Sequence, residues 1–111
     1  MAASGDGGPV VGLCTGKDCR RADGFRTVQR ELRRGCTVFE LPCLDVCDGV
    51  VVVVEPRSPE PQVIERVNGR GLARDLVDHV ANGAELVGRL RKRRLTGAAL
   101  TRARRRITRA L

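Results

Sequence analysis

A run of five valines, Val50 to Val54, is the feature that most restricts how this chain folds. β-Branched side chains favour extended backbone, and a continuous apolar run is typical of a central strand buried on both faces. The chain has 111 residues, enough for one domain and too few for an enzyme with a separate cofactor domain. The sequence therefore predicts a single α/β domain built around this strand.

Apolar spacing on either side of the valines predicts the other elements. Residues 23–34 and 71–82 each carry apolar side chains along one helical face and end at a glycine, which predicts two helices. The predicted element order is β-α-β-β-β-α. The three further strands are expected at Val10–Leu13, Cys36–Leu41 and Gln62–Val67.

Four of the five cysteines form two pairs, Cys14-x4-Cys19 and Cys43-x3-Cys47. Each pair lies in a loop that directly follows a predicted strand. Two parallel strands joined by a crossover helix end at the same edge of a sheet. If the strands before the two pairs are such neighbours, all four sulfurs can converge on one site.

The spacing leaves several kinds of site open. A 2Fe–2S cluster takes four thiolates from wide and varied loops, and a gap of about four residues is one known opening spacing. A structural zinc ion is the alternative, and reduced thiols without a ligand are the simplest interpretation. A thiol-disulfide protein is disfavoured because Cys-x-x-Cys is absent, and a Rieske centre is excluded because His79 is the only histidine.

The segments Cys14 to Arg21 and Cys43 to Gly49, with the valine strand after them, resemble the thioredoxin-like 2Fe–2S ferredoxins. This family includes the small thioredoxin-like cluster subunit of respiratory complex I. The resemblance covers residues 10–90. It implies a thioredoxin-like α/β fold, with a small mixed sheet and two main helices.

The resemblance also implies a function, which is one-electron transfer between redox partner proteins. It assigns four ligands to a 2Fe–2S cluster, Cys14, Cys19, Cys43 and Cys47, and suggests a homodimer. The sequence departs from the family at Asp45, where the family often has glycine. A carboxylate there is expected to lower the reduction potential of a cluster that is already negative.

Charge divides the chain in two. Residues 1–85 carry a net charge of −2, whereas residues 86–111 hold ten basic side chains and no acidic one. The sequence therefore predicts a domain at 10–90, after a loose segment 1–9, and a basic C-terminal tail at 91–111 that forms a short amphipathic helix. An alternative function follows, in which a zinc- or cluster-stabilised module contacts nucleic acid through this tail alone. Aromatic residues for base stacking are scarce.

The remaining polar residues do not suggest an enzyme. Neither a Ser/His/Asp set nor a pair of carboxylates stands out, so no catalytic residue is assigned. Cys36 is expected to be a buried core thiol, and His79 a structural or surface histidine. The sequence has no run of about 18 apolar residues and no secretory signal at its start, so we expect no membrane span and a cytoplasmic location.

Overall fold

The fold is seen in a computed structural model that describes residues 9–44 and 49–111. Within these residues the chain forms four strands and five helices. In chain order they are β1 (Val10–Cys14), α1 (Lys17–Arg21), α2 (Phe25–Gly35), β2 (Thr37–Leu41), β3 (Val52–Val54), β4 (Gln62–Ile64), α3 (Arg70–Asn82), α4 (Gly88–Arg91) and α5 (Gly97–Ala110).

The four strands form one mixed sheet in the order β2-β1-β3-β4. Strands β1 and β2 are parallel and joined through α2, whereas β3 runs antiparallel to both β1 and β4. The predicted order of strands and main helices is confirmed, and the chain is an α/β protein. Because β1 and β2 are parallel neighbours, Cys14 and Leu41 lie opposite each other at one sheet edge.

Buried side chains cover both faces of this sheet. The first core lies between the sheet and helices α2 and α3, and it contains Val52, Val54 and Leu76. The second core lies on the opposite face, and it contains Val51, Val53 and Ile107 of α5. All five valines of the run are buried, which confirms that this strand is enclosed from both sides.

The C-terminal segment is part of this packing. Leu95 N donates to Val63 O at 2.8 Å, so the chain before α5 lies alongside strand β4 and bonds to its backbone. Leu95, Ala103 and Ile107 are then buried in the second core. The predicted amphipathic helix is confirmed, and the segment set apart as a tail contributes three side chains to the core.

Several elements differ from the prediction. Strand β3 covers Val52–Val54 rather than the whole valine run, and the short helix α4 was not predicted. Residues Lys17–Arg21, expected to be loop, form the short helix α1, in which Cys19 is fully buried. The last strand ends at Ile64 rather than Val67, and Arg66 beyond it has a positive φ of 53°, which interrupts extended backbone. No helix in the described residues has the length and apolar content needed to cross a bilayer.

Candidate metal centre

The two cysteine loops leave the sheet side by side. Cys14 is the last residue of β1, and Leu41 is the last residue of β2. The backbone N and the Oγ1 of Thr15 both donate to Leu41 O, each at 2.8 Å. These two bonds fix the start of the first loop to the start of the second.

Gly16 then brings the first loop against Cys43. A Cβ atom added to Gly16 would lie 2.9 Å from the Cβ of Cys43 and 3.3 Å from its Sγ. The φ of Gly16 is −58°, a value open to any residue, so glycine is needed here for space. The two loops therefore meet at this contact.

Cys14 and Cys19 face the interior side of this edge. Both are fully buried in the second core, together with Leu44 of the second loop. Cys14 N donates to Val51 O at 3.0 Å, and the Sγ of Cys14 lies 3.7 Å from Pro42 O. The first pair of sulfurs is therefore held by regular backbone structure, from β1 and from α1.

Cys43 is exposed, whereas Cys14 and Cys19 are not. The site would thus extend from the second core to the surface. Cys47 and Asp45 lie outside the described residues. Of the four predicted ligands, the described part of the chain therefore places three at one edge of the sheet.

The far end of the second loop is closed by Asn68. Its Oδ1 accepts a hydrogen bond from Val50 N at 3.1 Å, and Val67 N donates to Val50 O at 2.9 Å. Gly49 has a φ of +69° and packs directly on the Asn68 side chain. In the sequence, Asn68 with Gly69 predicts only a turn, and a role in closing a distant loop leaves no further local signal.

The case for a metal here rests on the kind of ligand, which is cysteine sulfur, and not on an observed coordination geometry. Across residues 9–44 and 49–111, no three His, Cys, Asp or Glu side chains are grouped closely enough to hold a metal ion. Thiolates are nevertheless the ligands preferred by iron–sulfur clusters and are common ligands of zinc, so the chemistry of the three cysteines is compatible with either.

Cys36 lies apart from this site. It belongs to the first core, on the other face of the sheet from Cys14 and Cys19. Burial raises the pKa of the Cys36 thiol, so the thiolate form is disfavoured. The prediction of a buried core thiol is confirmed.

His79 makes a local contact within its own region. Its Nδ1 donates to Ala84 O at 2.7 Å, which links the last turn of α3 to the chain that follows. The prediction of a structural or surface histidine is confirmed.

Cations surround the outer side of the first loop. Lys17 and Arg20 are exposed on α1, the helix that also carries Cys19. A shallow cavity of about 530 Å³ lies between α1 and α2. It is lined by Lys17, Arg20, Arg21, Phe25, Arg26 and Gln29. These charges would favour a negatively charged centre at the adjacent edge.

No family model matches the chain, and neither the curated proteins nor the solved structures yield a match.

Proposed function

We propose that the chain is a thioredoxin-like ferredoxin, which binds a 2Fe–2S cluster through Cys14, Cys19, Cys43 and Cys47 and carries single electrons between proteins. The observation that carries this proposal is the contact of Gly16 with Cys43. It joins two cysteine loops that lie 23 residues apart in sequence, counted between Cys19 and Cys43.

The sheet supports the fold assignment. A β-α-β unit (β1, α2, β2) is followed by a β-β-α unit (β3, β4, α3), and the two units share one sheet in the order β2-β1-β3-β4. Thioredoxin-like domains combine two units of this kind. The crossover through α2 makes β1 and β2 parallel neighbours, so both cysteine loops start at one edge of the sheet, which supports the proposed site.

A 2Fe–2S cluster bound here would accept one electron and return it. The protein's own contribution is to hold and shield the ligands. The second core keeps water from Cys14 and Cys19, while the exposed Cys43 brings the site to the surface, where a redox partner can approach. Lys17 and Arg20 would offset the negative charge, which increases on reduction.

The test is an anaerobic purification of the full chain, with visible absorption and analysis of iron, sulfide and zinc on one sample. We expect a red-brown protein with about two iron and two sulfide per chain. The Cys19→Ser variant is expected to lose the iron. The control is Cys36→Ala, which removes a buried cysteine on the other face of the sheet and is expected to keep the iron. A colourless protein with about one zinc would overturn the proposal in favour of a structural module. Absence of both metals after anaerobic reconstitution would overturn it as well.

A further inference from the structure

The exposed face of α5 is a stripe of arginines. Arg102, Arg105, Arg106 and Arg109 are all exposed, and their spacing of i, i+3, i+4 and i+7 places them on one side of the helix. The opposite side, with Ala103 and Ile107, is buried in the second core. We call these four residues the arginine stripe.

Within the described residues, the arginine stripe has no acidic partner. In the described ranges, no carboxylate lies within ion-pair distance of any of its four guanidinium groups. Other nearby arginines do bond to the protein. Arg89 donates to Asp75 at 2.6 Å, Arg91 donates to Leu86 O at 3.0 Å, and Arg93 donates to Arg89 O at 2.6 Å.

This arrangement is unfavourable for an isolated helix. Arg102 and Arg106 are like charges at i, i+4, as are Arg105 and Arg109, and such pairs destabilise a helix. The first turn of α5 also lacks an acidic residue. A polyanion bound along the stripe would relieve the repulsion between these like charges.

The helix is fixed on the sheet while it presents this stripe. The Nε of Arg104 donates to Pro61 O at 3.1 Å, and this bond links α5 to the segment before β4. A shallow groove of about 520 Å³ runs along the helix, lined by Thr101, Arg104, Arg105, Thr108 and Arg109. The stripe is therefore a preformed surface.

The composition of the face favours phosphate over a protein or a membrane. From Thr101 to Arg109, every exposed side chain is Arg or Thr. Protein interfaces usually have an apolar centre, which is missing here. Membrane-surface helices insert an apolar face, which in α5 is already buried against the sheet. Phosphate contacts in protein–DNA complexes, in contrast, come mostly from such charged and hydroxyl side chains.

The dimensions also suit duplex DNA. Arg102 and Arg109 are separated by about 10 Å along the helix axis. Over that length, B-DNA carries about six phosphate charges, a density comparable to that of the stripe. The major groove of B-DNA admits an α-helix, whereas the major groove of duplex RNA is deep and narrow.

We propose that the arginine stripe binds the phosphate backbone of duplex DNA without sequence preference. This inference does not rest on the proposed cluster, because none of the four arginines of the stripe is a candidate ligand. It predicts an affinity set by salt, since each phosphate contact releases counterions.

The test is fluorescence anisotropy of the full chain with a labelled DNA duplex of about 20 base pairs, between about 50 and 200 mM KCl. We expect log Kd to rise linearly with log salt. The triple variant Arg102→Gln, Arg105→Gln, Arg109→Gln is expected to reduce that slope by about 2.7, at about 0.9 per contact. Circular dichroism would verify that the variant is folded.

The matched control is Arg26→Gln, Arg30→Gln, Arg33→Gln. These three arginines form an exposed stripe on α2. Their substitution removes the same net charge as the triple variant of α5. The control is expected to retain the wild-type slope. An equal fall in both variants would overturn the proposal, because net charge alone would then explain binding. Absence of DNA binding would also overturn it, as would preferential binding to polyglutamate, to duplex RNA or to phosphatidylserine vesicles.

Discussion

Gly16 and Cys43 are in contact, although they belong to different loops and follow different strands. A methyl group on Gly16 would approach the Cβ of Cys43 to 2.9 Å and its Cα to 3.1 Å. Backbone atoms cannot move aside as the end of a flexible side chain can. The close approach of the two cysteine loops therefore depends on the absence of a side chain at residue 16.

Gly16→Ala is accordingly expected to separate the loops. Overpacking of this kind costs about 1–3 kcal/mol, so the thermal midpoint should fall by several degrees and the iron content per chain should decrease. The measurement is thermal denaturation followed by circular dichroism, together with iron analysis. Gly71→Ala is the control, because a Cβ at residue 71 of α3 meets nothing within 4 Å. Full iron content and an unchanged midpoint in Gly16→Ala would contradict this prediction.

A second prediction concerns pH. Glu31 on α2 is only 6% exposed and accepts a hydrogen bond from the Nε of Arg74 on α3 at 3.1 Å. This bond, with the charges of Arg34, Arg74 and Arg70, holds the pKa of the Glu31 carboxyl below its ordinary value of 4.5.

A carboxylate whose pKa is lower in the folded state contributes stability that is present above the unfolded-state pKa. That contribution is lost as pH falls below 4.5 through the folded-state pKa. Thermal midpoints measured from pH 6 to pH 3 should therefore fall less steeply for Glu31→Gln than for the wild type. Glu40→Gln is the control. A Glu40 carboxylate oxygen lies 3.7 Å from an Arg33 guanidinium nitrogen, and both side chains are more than half exposed. Parallel curves for wild type and Glu31→Gln would show that this carboxylate does not contribute.

The third prediction concerns the C-terminal helix. Ile107 is 2% exposed and fills the second core from α5. Ile107→Ala is expected to destabilise the protein by about 2–5 kcal/mol, because it removes buried methyl groups and leaves a cavity. Urea denaturation would measure the change in the free energy of unfolding.

Leu111→Ala provides the control for this effect, since Leu111 is 50% exposed. Its effect should stay within about 0.5 kcal/mol. If Ile107→Ala is equally mild, α5 would not be a stabilising part of the domain.

The sequence was most informative where the types of several neighbouring side chains and their spacing indicate the same element of secondary structure. The run Val50 to Val54 predicted burial on both faces, and the spacing of Phe25, Val28 and Leu32 predicted α2. The convergence of the cysteine loops followed from one rule, that parallel neighbouring strands end at the same edge. These features depend on local pattern and on general topology.

Features that depend on particular tertiary contacts were missed. Helix α1 has five residues, too few to show a periodic pattern, and it is anchored by burial of Cys19. The role of Asn68 depends on Val50, which is distant in sequence. The apolar stripe of α5 is short and rich in alanine, so its packing on the sheet was evident only once the second face of that sheet was known.

The position of α5 has a consequence for how the protein is made. Ribosomes synthesise the chain from its N-terminus, so both cysteine loops are released before α5. The sheet face that carries Cys14 and Cys19 is therefore open to solvent during synthesis, and it closes only when Ala103 and Ile107 pack onto it. On the proposed function, iron and sulfide supplied to a nascent chain would meet accessible sulfurs, whereas in the finished protein Cys43 is the exposed one of the three described candidate ligands.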